Sequence, residues 1–435
     1  MIQEIQETAI QRRLGRVSLA LVLAATSALA QTSTTYTWQQ LKDKFEATNP
    51  TLKAAQLSID ESKANEITAF LRPNPSLTVS LDQLSPFATQ LSPSGSGQQV
   101  YRPLANTFPS GGMSYLYERQ HKRDLRKDAA VQTTAITQTT LVDQERTLLF
   151  TLRSAYVQVL AAKAFLQNAK DNLEYWDKGL VVQRKRYAAG DMALIDLNRL
   201  ELQRVQFETD YETAIVNLRT NKIQLLNLLN DRTPIEQFDV TGPYDNPESL
   251  PELDEFRNIA LASRPDLKVA LQNVELAKIN NRLAVANGAA DPTFGFDIAR
   301  NPPINAYIGV NMSIPLRIFD KNQGEKLRTR LDITRNQRLL EVARAQVFND
   351  VDSAYYTMVQ ALNLLKPYKT KYLPLALDIR DRMAISYQNG GNSFLDYLDA
   401  QKAYRDTRLA YLNLIGSYLT AAAQMNLAAG REVNQ

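Results

Sequence analysis

The sequence contains no cysteine and one histidine, His121. The first absence excludes disulfide scaffolds, thiolate metal sites, cysteine nucleophiles and a lipid-modified N-terminal cysteine. The second excludes histidine-rich metal centres and leaves a Ser-His-Asp hydrolase a single ring to use. Glycine is scarce, at 16 of 435 residues, which favours long helices over many tight turns. Neither sign of charge dominates: 50 lysines and arginines meet 46 acids, for a net +4. No nucleic-acid partner is expected from that balance. Mean hydropathy is −0.32, and no window beyond the leader holds 18 uninterrupted apolar residues. A bundle of transmembrane helices is therefore not expected. No nucleophile elbow, phosphate loop or metal-ligand spacing occurs. No catalytic, cofactor-binding or metal-binding residue is assigned, and the chain is not expected to be an enzyme. Its length alone suggests about two or three domains.

What is present begins with an address. Residues 1–30 read as a secretory signal peptide. Arg12, Arg13 and Arg16 form a basic start, Val17 to Thr26 an apolar run, and Ala28-Leu29-Ala30 a small-x-small cleavage site. The run is too short to cross a bilayer. The mature chain is expected to leave the cytoplasm.

The rest is written twice. Asn49-Pro50-Thr51-Leu52-Lys53-Ala54-Ala55 returns as Arg264-Pro265-Asp266-Leu267-Lys268-Val269-Ala270, 215 residues later. Ser154-Ala155-Tyr156 returns as Ser353-Ala354-Tyr355 at offset 199, and the Tyr187 to Gly190 turn returns as Tyr387 to Gly390 at offset 200. The expected organisation is a first structural repeat over 31–230, a proline-rich connector over 231–255, a second repeat over 256–430 and a tail over 431–435. An apolar seam stepping by four and three runs through Leu148, Leu152, Ala155, Val159, Ala162, Leu166, Ala169, Leu173, Trp176 and Leu180. Its counterpart at offset 199 runs from Val347 through Leu365, Tyr368, Tyr372 and Leu375 to Ile379. Such a seam marks helices packed in coiled-coil fashion. Long helices are expected over Lys122–Ala188 and Asn322–Gln388, the second bent by Pro367 and Pro374. Returning helices are expected over Ala193–Asn230 and Ser393–Ala429.

Four segments, 76–84, 111–119, 293–300 and 306–315, alternate apolar with polar residues, the mark of strands with two unlike faces. Read alone, they fit two soluble hairpins or a set of membrane strands. In lipid every backbone group must be paired, so a sheet has to close. Four strands are too few to close, so the membrane reading requires several chains.

The combination resembles the TolC-like outer-membrane efflux protein family over about Thr37 to Gly430. The most specific motifs are the two turns, Arg186-Tyr187-Ala188-Ala189-Gly190-Asp191 through Asp196, and Ser386-Tyr387-Gln388-Asn389-Gly390-Gly391-Asn392-Ser393-Phe394-Leu395-Asp396-Tyr397-Leu398-Asp399-Ala400. The second is similar to the family's Tyr-x-x-Gly…Asp-x-Leu-Asp-Ala signature. The resemblance implies a mainly α fold: long helical hairpins in a trimeric α-barrel, with four strands per chain in a twelve-stranded transmembrane β-barrel. It implies a homotrimer in the outer membrane of a Gram-negative-type bacterium, with loops 85–110 and 301–305 outside the cell, helices in the periplasm and the 231–255 connector in an equatorial belt. It also implies a passive exit duct served by a periplasmic adaptor protein and an inner-membrane transporter.

The same resemblance assigns site residues. Asp396 and Asp399, three apart on one helix face, would line a periplasmic constriction; their other role is to favour a helix N-terminus. Asp196, Tyr387 and Asn392 would be contacts that hold the turns closed, with a hydroxyl–carboxylate bond between Tyr387 and Asp196. The family prototype has an arginine where this chain has Asn392, which removes a charge-assisted link. Gly190, Asp191, Gly390 and Gly391 would face the adaptor, although capping alone explains the glycines. Trp38 and Trp176 read as packing residues. Tyr115, Tyr117 and Tyr307 suit a membrane interface, with Tyr307 on the lumen side. A competing reading is a secreted coiled-coil scaffold without a pore. Drug, metal-ion and protein cargo all remain open.

Overall fold

The computed structural model describes residues 34–433, apart from 83–86, 88, 92–94, 96, 102–106, 246–249 and 302–303. The expected leader, part of the tail and parts of the two expected external loops lie outside the described residues. The chain order is β1 (Thr34–Tyr36), α1 (Trp38–Thr48), α2 (Pro50–Phe70), β2 (Ser76–Asp82), β3 (Thr89–Leu91), β4 (Gln99–Tyr101), β5 (Phe108–Leu116), α3 (Lys122–Ala188) and α4 (Leu194–Leu228). It continues with β6 (Phe238–Val240), α5 (Leu253–Ser263), α6 (Pro265–Asn287), β7 (Thr293–Asn301), β8 (Ile304–Ser313), α7 (Gln323–Pro367), a π-turn (Tyr368–Tyr372), α8 (Leu373–Gln388) and α9 (Phe394–Ala429).

The pattern α-α-β-β-long α-α therefore occurs twice. Thr37 opens α1 with a reciprocal cap, accepting from Gln40 N while the Gln40 side chain accepts from Thr37 N. In α3 the absence of proline and the four-three apolar spacing carry one helix through 67 residues, about 100 Å at 1.5 Å per residue. Its seam is packed: Leu152 and Val159 are fully buried and Trp176 and Leu180 nearly so. By length and composition α3 also carries one window apolar enough to span a bilayer. Its apolar content includes these buried seam residues, so composition does not make it a span.

The second seam holds only in part. Val347, Val351, Ala354, Met358, Ala361 and Leu365 are buried as the spacing predicts. Beyond them Tyr372, Leu375 and Ile379 are 44, 48 and 41% exposed. The cause is the π-turn. There the Leu373 N–H reaches back five residues to the Tyr368 carbonyl, so the helix absorbs one extra residue. The repeat offset rises from 199 to 200 across this interval, and the turn accommodates that residue.

Four strands form one antiparallel sheet in the order β2-β5-β7-β8. β3 and β4 pair in a separate small hairpin, and β1 pairs in parallel with β6, neither of which the alternation had indicated. The fold comprises two compact units, each drawn from both repeats. One reaches to Lys53, then takes Glu145–Ser263 and the chain from Asn349 onward; the other takes Ala54–Gln144 and Arg264–Phe348.

Candidate membrane sheet and candidate gate at the helical turns

Strand register sorts the sheet's side chains. On one face Leu77 opposes Met113, which opposes Phe296, which opposes Val310. The next rows hold Val79, Gly111, Ile298 and Ile308, and then Tyr115, Phe294 and Met312. This face is apolar and open, with Leu77, Val79, Ile308 and Val310 each at least 73% exposed. The other face carries Ser76, Ser114 and Asn311, then Thr78 and Asp297, then Ser80, Ser110 and Tyr307. Hydroxyl pairs Ser76–Ser114 and Ser80–Ser110, both 2.7 Å, cross-link it. Tyr307 stands on the polar face and Tyr115 on the apolar one. An apolar face turned outward is the reverse of a water-facing sheet on a core. The edges β2 and β8 have no strand partner among the described residues.

The helical turns are built alike. In the first, Gly190 has φ +81°, Asp191 N donates to Arg186 O at 2.9 Å and Gly190 N to Tyr187 O at 3.0 Å. In the second, Gly390 has φ +77°, Gly391 N donates to Ser386 O at 2.8 Å and Gly390 N to Tyr387 O at 3.1 Å. Both are Schellman caps, which require a left-handed residue after the helix. Asp191 and Gly391 follow them and, with both glycines, are exposed.

The carboxylates differ in use. Asp396 closes a reciprocal cap with Ser393, accepting from Ser393 Oγ at 2.7 Å and Ser393 N at 3.2 Å. Asp399 is exposed and has no ion-pair partner among the described residues. Asp196 lies at the same position of α4, where Ala193 offers no side-chain cap, and it pairs loosely with Arg199 at 3.8 Å.

Tyr387 is buried. Its ring stacks on Tyr397 at 5.1 Å, contacts Phe394 at 5.8 Å and lies 5.2 Å from the Arg186 guanidinium. Burial pushes its hydroxyl pKa up; Arg186 pulls it back, and Asp196 adds to the rise. Asp196 is thus near enough to act through its charge, but no hydrogen bond joins it to Tyr387. Asn392 donates instead to the Met383 sulfur.

Sequence reasoning missed the larger assembly around Tyr387. Trp176 of α3 packs against Phe207 at 4.8 Å and stacks on Tyr397 at 6.5 Å, and its indole N–H donates to Leu200 O. With Leu180, Leu200 and Tyr387 these form one buried cluster shared by both hairpins. Nearby, the Arg380 guanidinium sits between the Tyr175 and Tyr404 rings at 4.6 and 4.3 Å, and Arg408 donates to Asp171. Aromatics spaced through the turn regions were the available signal. Which of them meet depends on the π-turn.

The connector crosses the same helices. Tyr156 donates to Thr241 O, Lys163 and Lys222 hold Asp239, Tyr244 donates to Leu412 O, and Lys369 of the π-turn pairs with Asp245.

Comparison with known proteins follows this architecture. Residues 257–431 match the family model described as outer membrane efflux protein. The chain is 26% identical over 410 residues to the cobalt-zinc-cadmium resistance protein CzcC of Cupriavidus metallidurans, covering 88% of this chain and 87% of that one. Among solved structures, the CusC channel superposes with a TM-score of 0.73 at 18% identity, covering 91% of this chain and 92% of the other. The outer membrane protein VceC of Vibrio cholerae gives 0.70 at 15% identity, covering 91% and 97%. At those identities the structures establish the fold, α-barrel hairpins joined to β-barrel strands. The family match across the second repeat, the relative aligned along nearly the whole chain, and the shared fold agree in making this chain similar to the outer membrane efflux proteins.

Proposed function

We propose that this chain is one of three identical subunits forming the outer-membrane duct of a tripartite exporter. The observation that carries this reading is the sheet. It offers a continuous apolar face and two edges without a strand partner among the described residues, and open edges are not stable in lipid. Three copies supply twelve strands, an even number above the minimum for closure. In this reading the helices stand in the periplasm, and the 31–230 and 256–430 repeats are joined by a belt at 231–255. Gly190, Asp191, Gly390 and Gly391 meet a periplasmic adaptor, and energy comes from an inner-membrane transporter. The duct does no chemistry of its own.

The proposed cargo is divalent transition-metal cations. The support is the kinship with CzcC, a cobalt-zinc-cadmium resistance protein. Asp399, exposed and without an ion-pair partner among the described residues, and Asp396 would bring six carboxylates around the axis of a trimer, a ring that favours cations. Asp196, Tyr387 and Asn392 would be the closing contacts. A strain lacking the gene, tested against cobalt, zinc, cadmium and a drug panel, separates the cargo classes: sensitivity to drugs alone would remove the metal reading. Planar-bilayer recordings test the rest. Wild type is expected to conduct, Asp399→Asn to lose cation preference, and Tyr387→Phe, which keeps the ring, to conduct more. Unchanged conductance in Tyr387→Phe and Asp196→Ala would sink the part given to that hydroxyl and carboxylate.

A further inference from the structure

Each repeat is basic where it leaves the sheet for its long helix. Residues 117–127 hold five lysines and arginines against two acids, and residues 314–330 hold the same numbers. The whole chain carries only +4, so positive charge is concentrated at these two junctions. The Lys127 and Lys321 ammonium groups meet no carboxylate among the described residues. Arg119 is exposed, and Arg317 reaches Asp320 only at 3.7 Å.

Apolar side chains stand among these cations. Leu316, Ile318 and Phe319 are 80, 64 and 91% exposed. Tyr117 is exposed, and Arg123 and Lys127 lie 4.2 and 4.7 Å from the Phe70 ring. The junctions also differ in a telling way. His121 and Asn322, both at positive φ, occupy the same place before α3 and α7 and set a local offset of 201. At that offset the bidentate pair Glu118–Arg126 is replaced by Phe319 and Leu327, both exposed. The second junction has given up an ion pair for surface that water does not favour.

We propose that the two junctions form a collar that binds a phospholipid headgroup layer, with Arg119, Lys127, Arg317 and Lys321 on lipid phosphates and Leu316, Ile318 and Phe319 at the acyl boundary. Continuity supports this occupant. The apolar row Ile308, Val310 and Met312 of β8 carries on in the same alternation as Ile314, Leu316 and Ile318, past the last strand residue, Ser313. Long cationic side chains lie along apolar surface and place their heads at phosphate depth, and aromatic rings favour the same layer. A soluble acidic partner would use the cations but leave the apolar row uncovered. The inference rests on the membrane reading of the sheet.

The test uses the full mature protein reconstituted in vesicles of phosphatidylcholine, alone or mixed with phosphatidylglycerol. Spin-labelled versions of the two lipids compete for the protein's boundary layer. At low salt a preference for phosphatidylglycerol of roughly two- to fivefold is expected, falling toward one at high salt. The variant Arg119→Gln/Lys127→Gln/Arg317→Gln/Lys321→Gln should show no preference, and the wild-type salt series gives the same reading without any substitution. A spin label on Ile318→Cys, the sole cysteine in such a chain, should report lipid-phase oxygen. Insertion with no lipid preference overturns the collar. A label buried against a neighbouring copy overturns its apolar half. Failure to insert into any vesicle overturns the membrane reading itself.

Discussion

The two helical hairpins share one plan and differ in one residue. In the first, α3 runs unbroken and its seam stays packed from Leu152 to Leu180. In the second, Pro367 and Pro374 flank a π-turn, and the seam is packed only as far as Leu365. Each proline lacks the N–H that would serve the preceding turn, and a π-turn is a low-cost way to absorb both that loss and an added residue. Tyr368 and Tyr372 of the turn, with Leu375 and Ile379 beyond it, line an open groove with Ala403 and Thr407. The turn also sets which side chains of α8 reach the first hairpin, bringing Tyr387 under Arg186 and onto Tyr397. A duplicated sequence has become asymmetric through one extra residue taken up in a π-turn, with both end caps preserved.

The comparison can be broken most severely at the π-turn. Inserting one alanine after Thr370 adds a residue beyond the one the turn absorbs and should turn everything that follows by about 100°. Tyr387 then leaves its stack, and unfolding in detergent should shift by roughly 3–5 kcal/mol, the scale of losing a buried aromatic. An unchanged midpoint would mean that the π-turn does not set the phase. Next comes Trp176→Ala, which removes the ring shared by both hairpins and should cost about 3–5 kcal/mol. A loss confined to α3 and α4 in hydrogen exchange, sparing α8 and α9, would contradict the shared cluster.

The turns themselves should respond equally. Gly190→Ala and Gly390→Ala each force a side chain into the left-handed region, at about 1–2 kcal/mol. Unequal costs would show that the caps are less alike than their hydrogen bonds. Ser393→Ala should cost about 1 kcal/mol, while Ala193→Ser should supply the cap that α4 lacks and gain a few tenths to about 1 kcal/mol.

The smallest effect is expected in acid, around α1. Burial would raise the Asp231 pKa, but hydrogen bonds from Lys44 and Thr233 outweigh it and hold it at about 2, below the ordinary 3.8. Such a carboxylate adds stability that is complete above 3.8 and is lost as pH falls through about 2. At the repeat offset of 215, Lys44 corresponds to Ile259, so the second repeat has no such pair. Local exchange around α1 should quicken in this acid window, and Asp231→Asn should abolish the pH dependence.

Much of the fold was legible because periodicity is local. Proline-free four-three spacing placed α3 to the residue, and alternation placed the four strands of the large sheet within a few positions. The lost seam beyond Leu365 was not legible, since one residue of phase depends on backbone hydrogen bonds that two prolines only hint at. β1 and β6 were missed because three-residue strands carry no period. At the turns the glycine caps could be read from residue type. The Trp176–Tyr397–Tyr387–Arg186 assembly could not, because it joins residues up to 221 positions apart. Asp396 stood between two readings from the start, and its bond to Ser393 gives the capping role a concrete geometry.

The absence of cysteine makes the central claim directly measurable. One cysteine placed on β2, at Leu77, Val79 or Leu81, and one on β8, at Ile308, Val310 or Met312, would give the chain its only two thiols. If three sheets close edge to edge, oxidation of the membrane-embedded protein yields a covalent ladder that stops at three chains for at least one pairing. A ladder that stops at two, runs on without limit, or fails to form for every pairing would contradict the closed three-chain barrel.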